Sequence, residues 1–108
     1  MERRYWNEKI ETMPMEEMRK IQLNKLKKTL KYCYENSPLY YKKKFDDIGV
    51  RPEDIKTWED FHNLPIMGNK EEERKSQEES MEKWGHPFGT YLCAPLEKLA
   101  FVSSTGGT

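Results

Sequence analysis

The segment between Pro14 and Pro38 constrains the fold most, because its apolar residues recur at helical spacing. Pro14 suits the first turn of a helix, where its missing N–H would have no partner inside the helix. Pro38 cannot continue a helix and disfavours helical geometry at the residue before it. The apolar residues that recur at mostly three- and four-residue spacings between them are Met18, Ile21, Leu23, Leu26, Leu30, Cys33 and Tyr34. This spacing predicts one long amphipathic helix from residue 14 to about residue 35.

Turn-forming residues divide the following stretch into shorter helices. Ser37 is a candidate N-cap for a second helix, which Gly49 would end in the left-handed conformation. Thr57 and Asp60 have the spacing of a capping box, which predicts the start of a third helix. Residues 70–83 are strongly charged and have high helical propensity, so we predict an exposed helix there.

Beyond residue 84 the helical pattern stops. Gly85, Pro87 and Gly89 break it, and the apolar runs Tyr91–Cys93 and Leu99–Val102 have the length and composition of short strands. We therefore predict a mainly α chain of about four helices with one or two short β-strands near its C-terminus.

Composition limits both the core and the classes of partner. The chain has 108 residues, of which 35% are hydrophobic and 35% are charged, so its core must be thin. Its 19 basic residues match its 19 acidic residues, so no broad positive field favours nucleic acid as a partner. No apolar run approaches the roughly 20 residues of a membrane helix, and no signal-peptide pattern follows the amino terminus. We predict neither membrane insertion nor secretion.

The cysteines and histidines indicate no chemistry by themselves. Cys33 and Cys93 lack the spacing of a CxxC motif or a zinc site, which favours two reduced thiols in a cytoplasmic protein over a disulfide framework or a metal site. His62 and His86 have no recognisable acid–base partner nearby in the sequence, and we interpret them as surface or capping residues. We predict no catalytic residue and no metal ligand in the chain.

The end of the chain has the composition of a phosphate-binding loop. After a short apolar run come Ser103, Ser104, Thr105, Gly106, Gly107 and Thr108. Glycines let successive N–H groups turn toward an anion, and hydroxyls add further donors. The segment lacks the Gly-Lys-Ser/Thr ending of a Walker A motif. A flexible linker has the same composition, so the loop alone leaves both interpretations open.

A series of short motifs runs nearly from end to end of the chain. They are Tyr5-Trp6-Asn7, Ile10 to Pro14, Tyr34 to Tyr40, Ile48 to Ile55, Leu64-Pro65, Pro87 to Gly89 and Ser103 to Thr108. Their order and spacing resemble the amino-terminal region of the phenylacetate–CoA ligase family of adenylate-forming enzymes. The final loop reads Thr-Gly-Gly-Thr where that family usually reads Ser-Gly-Thr-Thr.

The resemblance implies an activity, a site and a domain division. The activity is a two-step ligation, in which a carboxylate attacks the α-phosphate of Mg-ATP and the thiol of CoA then captures the acyl-adenylate. The family's substrate class is an aryl acid such as phenylacetate, and Ser103 to Thr108 would hold the ATP phosphates. Residues 1–84 would form a helical amino-terminal subdomain, and residues 85–108 would start the α/β nucleotide-binding domain. ATP, Mg²⁺ and CoA would serve the full-length parent, whereas this fragment alone is expected to be inactive and to hold no cofactor.

A second interpretation is a non-catalytic helical interaction or oligomerisation module over residues 1 to about 65. Amphipathic helices that leave apolar patches exposed tend to find partners, so self-association as a homodimer is also expected. The length of the parent beyond Thr108 distinguishes the two interpretations, because a ligase requires several hundred further residues.

Overall fold

The computed structural model describes residues 2–106, and this range is helical. Its α-helices are α1 (Glu8–Glu11), α2 (Met15–Asn36), α3 (Tyr41–Asp47), α4 (Trp58–His62) and α5 (Lys70–Trp84). Short 3₁₀ helices lie at Pro52–Asp54 and Leu96–Lys98. The radius of gyration is 17.6 Å, larger than the roughly 13 Å expected of a compact chain of about this length. The chain is therefore open in shape, and the thin core predicted from composition fits that shape.

The predicted β-strands near the C-terminus are wrong, because none of residues 2–106 lies in a strand. Tyr91–Cys93 follows a turn in which Leu92 N donates to Gly89 O at 3.3 Å. Leu99–Val102 is extended, but Phe101 is 83% exposed and Val102 is 64% exposed. A strand is stable when its backbone pairs with a neighbouring strand, and no such neighbour exists in the described part of the chain. An apolar run in the sequence does not show whether a second strand lies beside it in the fold.

Among residues 2–106 there is one more α-helix than the predicted four. The addition is the single turn α1, where the side chain of Asn7 accepts a hydrogen bond from Ile10 N at 3.2 Å. A four-residue helix has too few positions to show an apolar period, so the sequence pattern did not indicate it.

The long helix predicted between the two prolines is confirmed as α2. It begins directly after Pro14 and ends at Ser37. Its apolar face packs against α3 and against the 3₁₀ helix Pro52–Asp54. Farther along the chain, the indole Nε1 of Trp58 donates to Arg19 O at 3.1 Å, which attaches α4 to the first half of α2.

The buried apolar centre is small. Phe45 and Ile55, each only 2% exposed, are the buried hydrophobic side chains among the described residues. The ring of Tyr34 meets Phe45 edge-on, with centroids 6.1 Å apart, and its hydroxyl donates to Asp46 Oδ1 at 2.7 Å. The core of this chain therefore lies where α2, α3 and the 3₁₀ helix Pro52–Asp54 meet.

Two local signals predicted from sequence are confirmed. Thr57 Oγ1 accepts from Asp60 N at 3.1 Å, and Asp60 Oδ2 accepts from Thr57 N at 3.0 Å, which is a capping box at the start of α4. Gly49 has a φ of +69°, the left-handed conformation predicted after the second helix. Among the described residues, no helix is both long enough and apolar enough to cross a membrane.

Candidate phosphate-binding cleft

Helix α5 provides one wall of the candidate site, and both its ends are fixed by local chemistry. Asn69 caps the start, with its side chain accepting from Glu72 N at 2.9 Å. Gly85 ends the helix with a φ of +74°, a conformation that glycine adopts without a steric penalty. The chain can therefore turn sharply after Trp84 and return along the helix that it has just left.

Two buried serines of α5 hold the returning loop. Ser80 is 0% exposed, and its Oγ accepts from Gly89 N at 2.9 Å and lies 2.7 Å from the carbonyl oxygen of His86. One turn earlier, Ser76 Oγ accepts from Thr90 N at 2.7 Å. These hydroxyls replace the pairing that a strand would have supplied to the same backbone groups.

The loop is also fixed to the junction between α2 and α3. Ser37 is 1% exposed, and its Oγ donates to Thr90 O at 3.0 Å. The ring of Tyr91 packs edge-on against Tyr40, with centroids 5.5 Å apart. Gly89 has a φ of +92°, and a Cβ atom there would collide with the Tyr91 ring. The position of Tyr91 thus depends on contacts with residues that are far from it in the sequence.

Polar contacts then join Tyr91 to α5. Its hydroxyl accepts from Gln77 Nε2 at 3.1 Å and donates to Glu73 Oε1 at 3.4 Å. Lys44 Nζ lies 2.6 Å from Glu72 Oε2 and so connects α3 to the same helix. Burial is the main cause that raises the pKa of Tyr40 above its ordinary value.

An open cleft of about 850 Å³ lies between α5 and the end of the described chain. Ser103, Ser104 and Thr105 line it opposite α5. Helix α5 contributes the cations Lys70 and Arg74, together with other polar groups, to the lining of the cleft. The remaining lining residues are Glu71, Glu73, Gln77, Pro87, Phe88, Tyr91 and Val102. The cleft therefore combines hydroxyl donors and two cations with two carboxylates.

A second cavity of about 640 Å³ lies beside Tyr40 and shares residues with the cleft. Lys70, Glu73, Tyr91 and Thr105 line both cavities. Its other lining residues are Tyr40, Tyr41, Met67, Gly68 and Asn69. Thr105 thus lies between a charged cavity and an aromatic one.

The structure describes four of the six loop residues that the sequence singled out. Ser103, Ser104 and Thr105 are exposed and lie together along the cleft, and Gly106 follows in exposed, irregular chain. Gly107 and Thr108 lie outside the described residues. For those two positions the predicted role in binding phosphate stays a prediction.

Sequence reasoning did not include Lys70 and Arg74 in the candidate site. Their charges were interpreted as part of an exposed helix, which α5 is. The available signal was their i,i+4 spacing, which places both cations on one face of a helix. That spacing does not indicate which segment of the chain lies opposite the two cations.

The histidines and cysteines have local partners. His62 stacks on Trp58, and His86 stacks between Trp84 and Phe88. Cys33 and Cys93 are free thiols, and the Cys93 thiol donates to Tyr91 O at 3.2 Å. Burial and then the neighbouring Cys33 thiol raise the pKa of Cys93 to about 12. Within residues 2–106, no cluster of three or more His, Cys, Asp or Glu side chains could hold a metal ion.

Comparison with solved structures first defines the class of protein. The fold is similar to 2-hydroxyisobutyryl-CoA ligase in complex with 2-HIB-AMP and CoA, with a TM-score of 0.82 and 34% identity over 98% of this chain. The match covers 21% of that ligase. The chain therefore has the fold of an amino-terminal part of an adenylate-forming CoA ligase.

Sequence comparison then indicates the family. The chain is 33% identical to phenylacetate-coenzyme A ligase of Escherichia coli (strain K12) over 92% of its length, and 36% identical to that of Aromatoleum evansii over 94%. It spans 20% of the length of each of these ligases. No family model matches the chain. The resemblance to phenylacetate–CoA ligases is confirmed, since the chain is similar in sequence to part of each of these enzymes.

Proposed function

We propose that this chain is the amino-terminal part of an ATP-dependent acyl- or aryl-CoA ligase of the phenylacetate–CoA ligase type. The parent enzyme would convert a carboxylate, ATP and CoA into acyl-CoA, AMP and pyrophosphate through an acyl-adenylate. The observation that carries the proposal is the 36% identity that extends over 94% of this chain. The solved relative that holds 2-HIB-AMP and CoA supports the same chemistry.

Within that enzyme, residues 103–108 are proposed to hold the phosphates of ATP. Ser103, Ser104 and Thr105 are exposed hydroxyls on one wall of the cleft, where they are free to donate to phosphate oxygens. Lys70 and Arg74 on the opposite wall supply positive charge for the same oxygens. A built Cβ at Gly106 meets nothing within 4 Å, so an anion has open space around this position. Glu71 and Glu73 line the same cleft and balance these two charges, so the proposal depends mainly on the hydroxyls of residues 103–105, and Mg²⁺ would enter with ATP.

The proposed domain division is a helical subdomain over residues 1–84 and the start of the nucleotide-binding domain over residues 85–108. The end of α5 at Gly85 supports a boundary there. The hydrogen bonds from Ser76 and Ser80 tie residues 86–90 to α5, so the two parts would move together up to Thr90.

We expect this 108-residue chain to catalyse no pyrophosphate exchange with phenylacetate and ATP. A phosphate loop works when both flanks are fixed, and ordering a free flank costs roughly 1–2 kcal/mol per residue. Hydrogen bonds at about 0.5–1.5 kcal/mol each do not offset that cost. Measurable exchange by the fragment would contradict the proposal.

In a longer chain that carries this segment, Thr105→Ala combined with Thr108→Ala is expected to slow pyrophosphate exchange by about a hundredfold or more, because two hydrogen bonds to a charged phosphate are lost at about 1.5–3 kcal/mol each. The matched control is Thr29→Ala, an exposed threonine on α2 whose hydroxyl bonds to Lys25 O. Equal exchange rates in the double variant and the control would show that the loop residues are wrongly assigned. Unchanged far-UV circular dichroism in both variants would exclude unfolding as the cause.

Exposed apolar side chains favour a second function, homodimer formation by the helical part in the cytoplasm. Within residues 1–84, Trp6 is 82% exposed, Met15 is 69% exposed and Ile66 is 94% exposed. Such surfaces favour association because each contact removes apolar area from water. Sedimentation velocity is expected to show a dimer at high micromolar concentration. A monomer at that concentration would contradict self-association and leave the ligase proposal intact.

A further inference from the structure

Thr90 is held at three points by serine hydroxyls that come from two different parts of the chain. Its N–H donates to Ser76 Oγ at 2.7 Å, and its side-chain Oγ1 lies 2.7 Å from the same oxygen. Its carbonyl oxygen accepts from Ser37 Oγ at 3.0 Å. All three residues are buried. The backbone and the side chain of Thr90 therefore have their hydrogen-bonding partners inside the protein.

The contact between the two side-chain hydroxyls directs Ser76 toward the loop. Ser76 Oγ accepts the N–H of Thr90 and shares one further hydrogen bond with Thr90 Oγ1, in which either oxygen could be the donor. Inside a helix, a serine hydroxyl can instead donate to the carbonyl four residues earlier. The hydroxyl of Thr90 competes with that alternative, because a buried hydroxyl that loses one partner is destabilised until it finds another.

The next residue on each side carries this arrangement into the cleft. Gln77 follows Ser76 on α5, and Tyr91 follows Thr90 in the loop. Gln77 Nε2 donates to the hydroxyl of Tyr91 at 3.1 Å, so two successive pairs of residues join the loop to the helix. The first pair is buried, whereas Gln77 and Tyr91 line the cleft. The buried pair therefore helps to set how Tyr91 lies against α5.

Tyr91 lies where its position affects the proposed phosphate site. It lines both the cleft and the cavity beside Tyr40, and Thr105 lines the same two cavities. Its ring packs edge-on against Tyr40, with centroids 5.5 Å apart. A displacement of the Tyr91 ring would change the space in front of Thr105, which is one of the residues proposed to hold phosphate.

We propose that Thr90 is a positioning residue for nucleotide binding, whose side-chain hydroxyl acts through Ser76 to hold Tyr91 in the wall of the cleft. This proposal rests on the proposed function, in which the cleft binds ATP. Neither Thr90 nor Ser76 is among the described residues that line the two cavities, so Thr90 acts on the ligand through its neighbours. A ligand binds more tightly to groups that are already fixed, because less conformational freedom is lost on binding.

The first test compares Thr90→Val with Thr90→Ser in a longer chain that carries this segment. Valine keeps the branched shape and removes the hydroxyl, whereas serine keeps the hydroxyl. Thr90→Val is expected to raise the KM for ATP about two- to tenfold, the effect of one neutral hydrogen bond, and Thr90→Ser should stay close to the parent value. The KM for CoA should not change, because CoA reacts in the second step. Thr29→Val at an exposed position of α2 is the matched control, and it should leave both constants unchanged.

A double-mutant cycle separates positioning from a general loss of stability. Tyr91→Phe keeps the ring against Tyr40 and removes the hydroxyl that Gln77 contacts, so it should also raise the KM for ATP. Adding Thr90→Val to Tyr91→Phe should cause little further increase, because residues that act through one network have non-additive effects. Independent effects of the two substitutions would overturn the proposal. So would an unchanged KM for ATP in Tyr91→Phe, a variant that leaves the buried pair intact.

A measurement on the 108-residue chain distinguishes failure of this proposal from failure of the proposed function. NMR cross peaks between the side-chain amide of Gln77 and the ring of Tyr91 report their contact without any ligand. These cross peaks should weaken in Thr90→Val and persist in Thr90→Ser and Thr29→Val, with unchanged far-UV circular dichroism in all three. Unchanged cross peaks in Thr90→Val would overturn the positioning role and leave the ligase proposal intact. Weakened cross peaks together with no ATP-dependent exchange by the longer chain would instead contradict the ligase proposal, and with it the nucleotide role of Thr90.

Discussion

Phe45→Ala should lower the free energy of unfolding by about 3–5 kcal/mol, the usual cost of removing a buried phenylalanine ring and leaving a cavity. Phe45 is 2% exposed and receives the edge of the Tyr34 ring at 6.1 Å. The described core has one other buried hydrophobic side chain, Ile55. A loss of this size is a large part of the roughly 5–15 kcal/mol typical of a folded domain, so the variant should be largely unfolded at moderate urea concentration. Urea denaturation followed by far-UV circular dichroism measures the change.

Phe101→Ala is the matched control, because it removes the same ring from a position that is 83% exposed. Its unfolding free energy should stay within about 0.5 kcal/mol of that of the parent chain. A midpoint that shifts equally in both variants would mean that Phe45 does not stabilise the core. The prediction would then fail, and the packing of α3 against α2 would need another explanation.

Ser80→Ala is expected to be the most damaging of the small substitutions. It leaves Gly89 N–H and the His86 carbonyl without their hydroxyl partner, although Ser80 is 0% exposed and water has little access. Each buried polar group that loses its partner costs about 1–3 kcal/mol. The thermal midpoint should therefore fall, and the amide of Gly89 should exchange its hydrogen much faster.

The control for this variant is Glu79→Ala on the preceding residue of α5, which is exposed and 3.9 Å from Lys83 Nζ. An exposed ion pair of this length contributes little, so stability should change by less than about 0.5 kcal/mol. If Gly89 exchanged at the same rate in Ser80→Ala as in the parent chain, the serine would not be holding the loop. The return of the chain along α5 would then depend on the aromatic contact between Tyr40 and Tyr91 instead.

The sequence was most informative where structure depends on neighbouring residues. Pro14 and Ser37 bound α2, the Thr57 and Asp60 pair starts α4, and Gly49 adopts the left-handed conformation. Each of these features follows from steric or hydrogen-bonding rules that act over a few residues, so a pattern in the chain is enough to predict it.

The candidate cleft was only half predictable. Ser103 to Thr108 could be identified because hydroxyls and glycines in one run have a recognisable chemistry. Lys70 and Arg74 could not be assigned to the same site, since their place opposite the loop depends on how the chain returns after Gly85. The order of the family motifs located the loop, but it said nothing about which charges would lie opposite.

The sequence alone thus determined the long helix, the capping box of α4, the polar balance and the resemblance to phenylacetate–CoA ligases. It did not determine the start of α3, whose N-cap is Tyr40 and not the predicted Ser37. Only the tertiary structure decided that residues 91–93 and 99–102 form no strand, because a strand requires a partner whose presence no local pattern records. It also decided that buried serines satisfy the backbone of the loop after α5. The physical reason is the same in each case. Contacts between distant residues depend on how the whole chain packs, whereas caps and helical periods depend on residues a few positions apart.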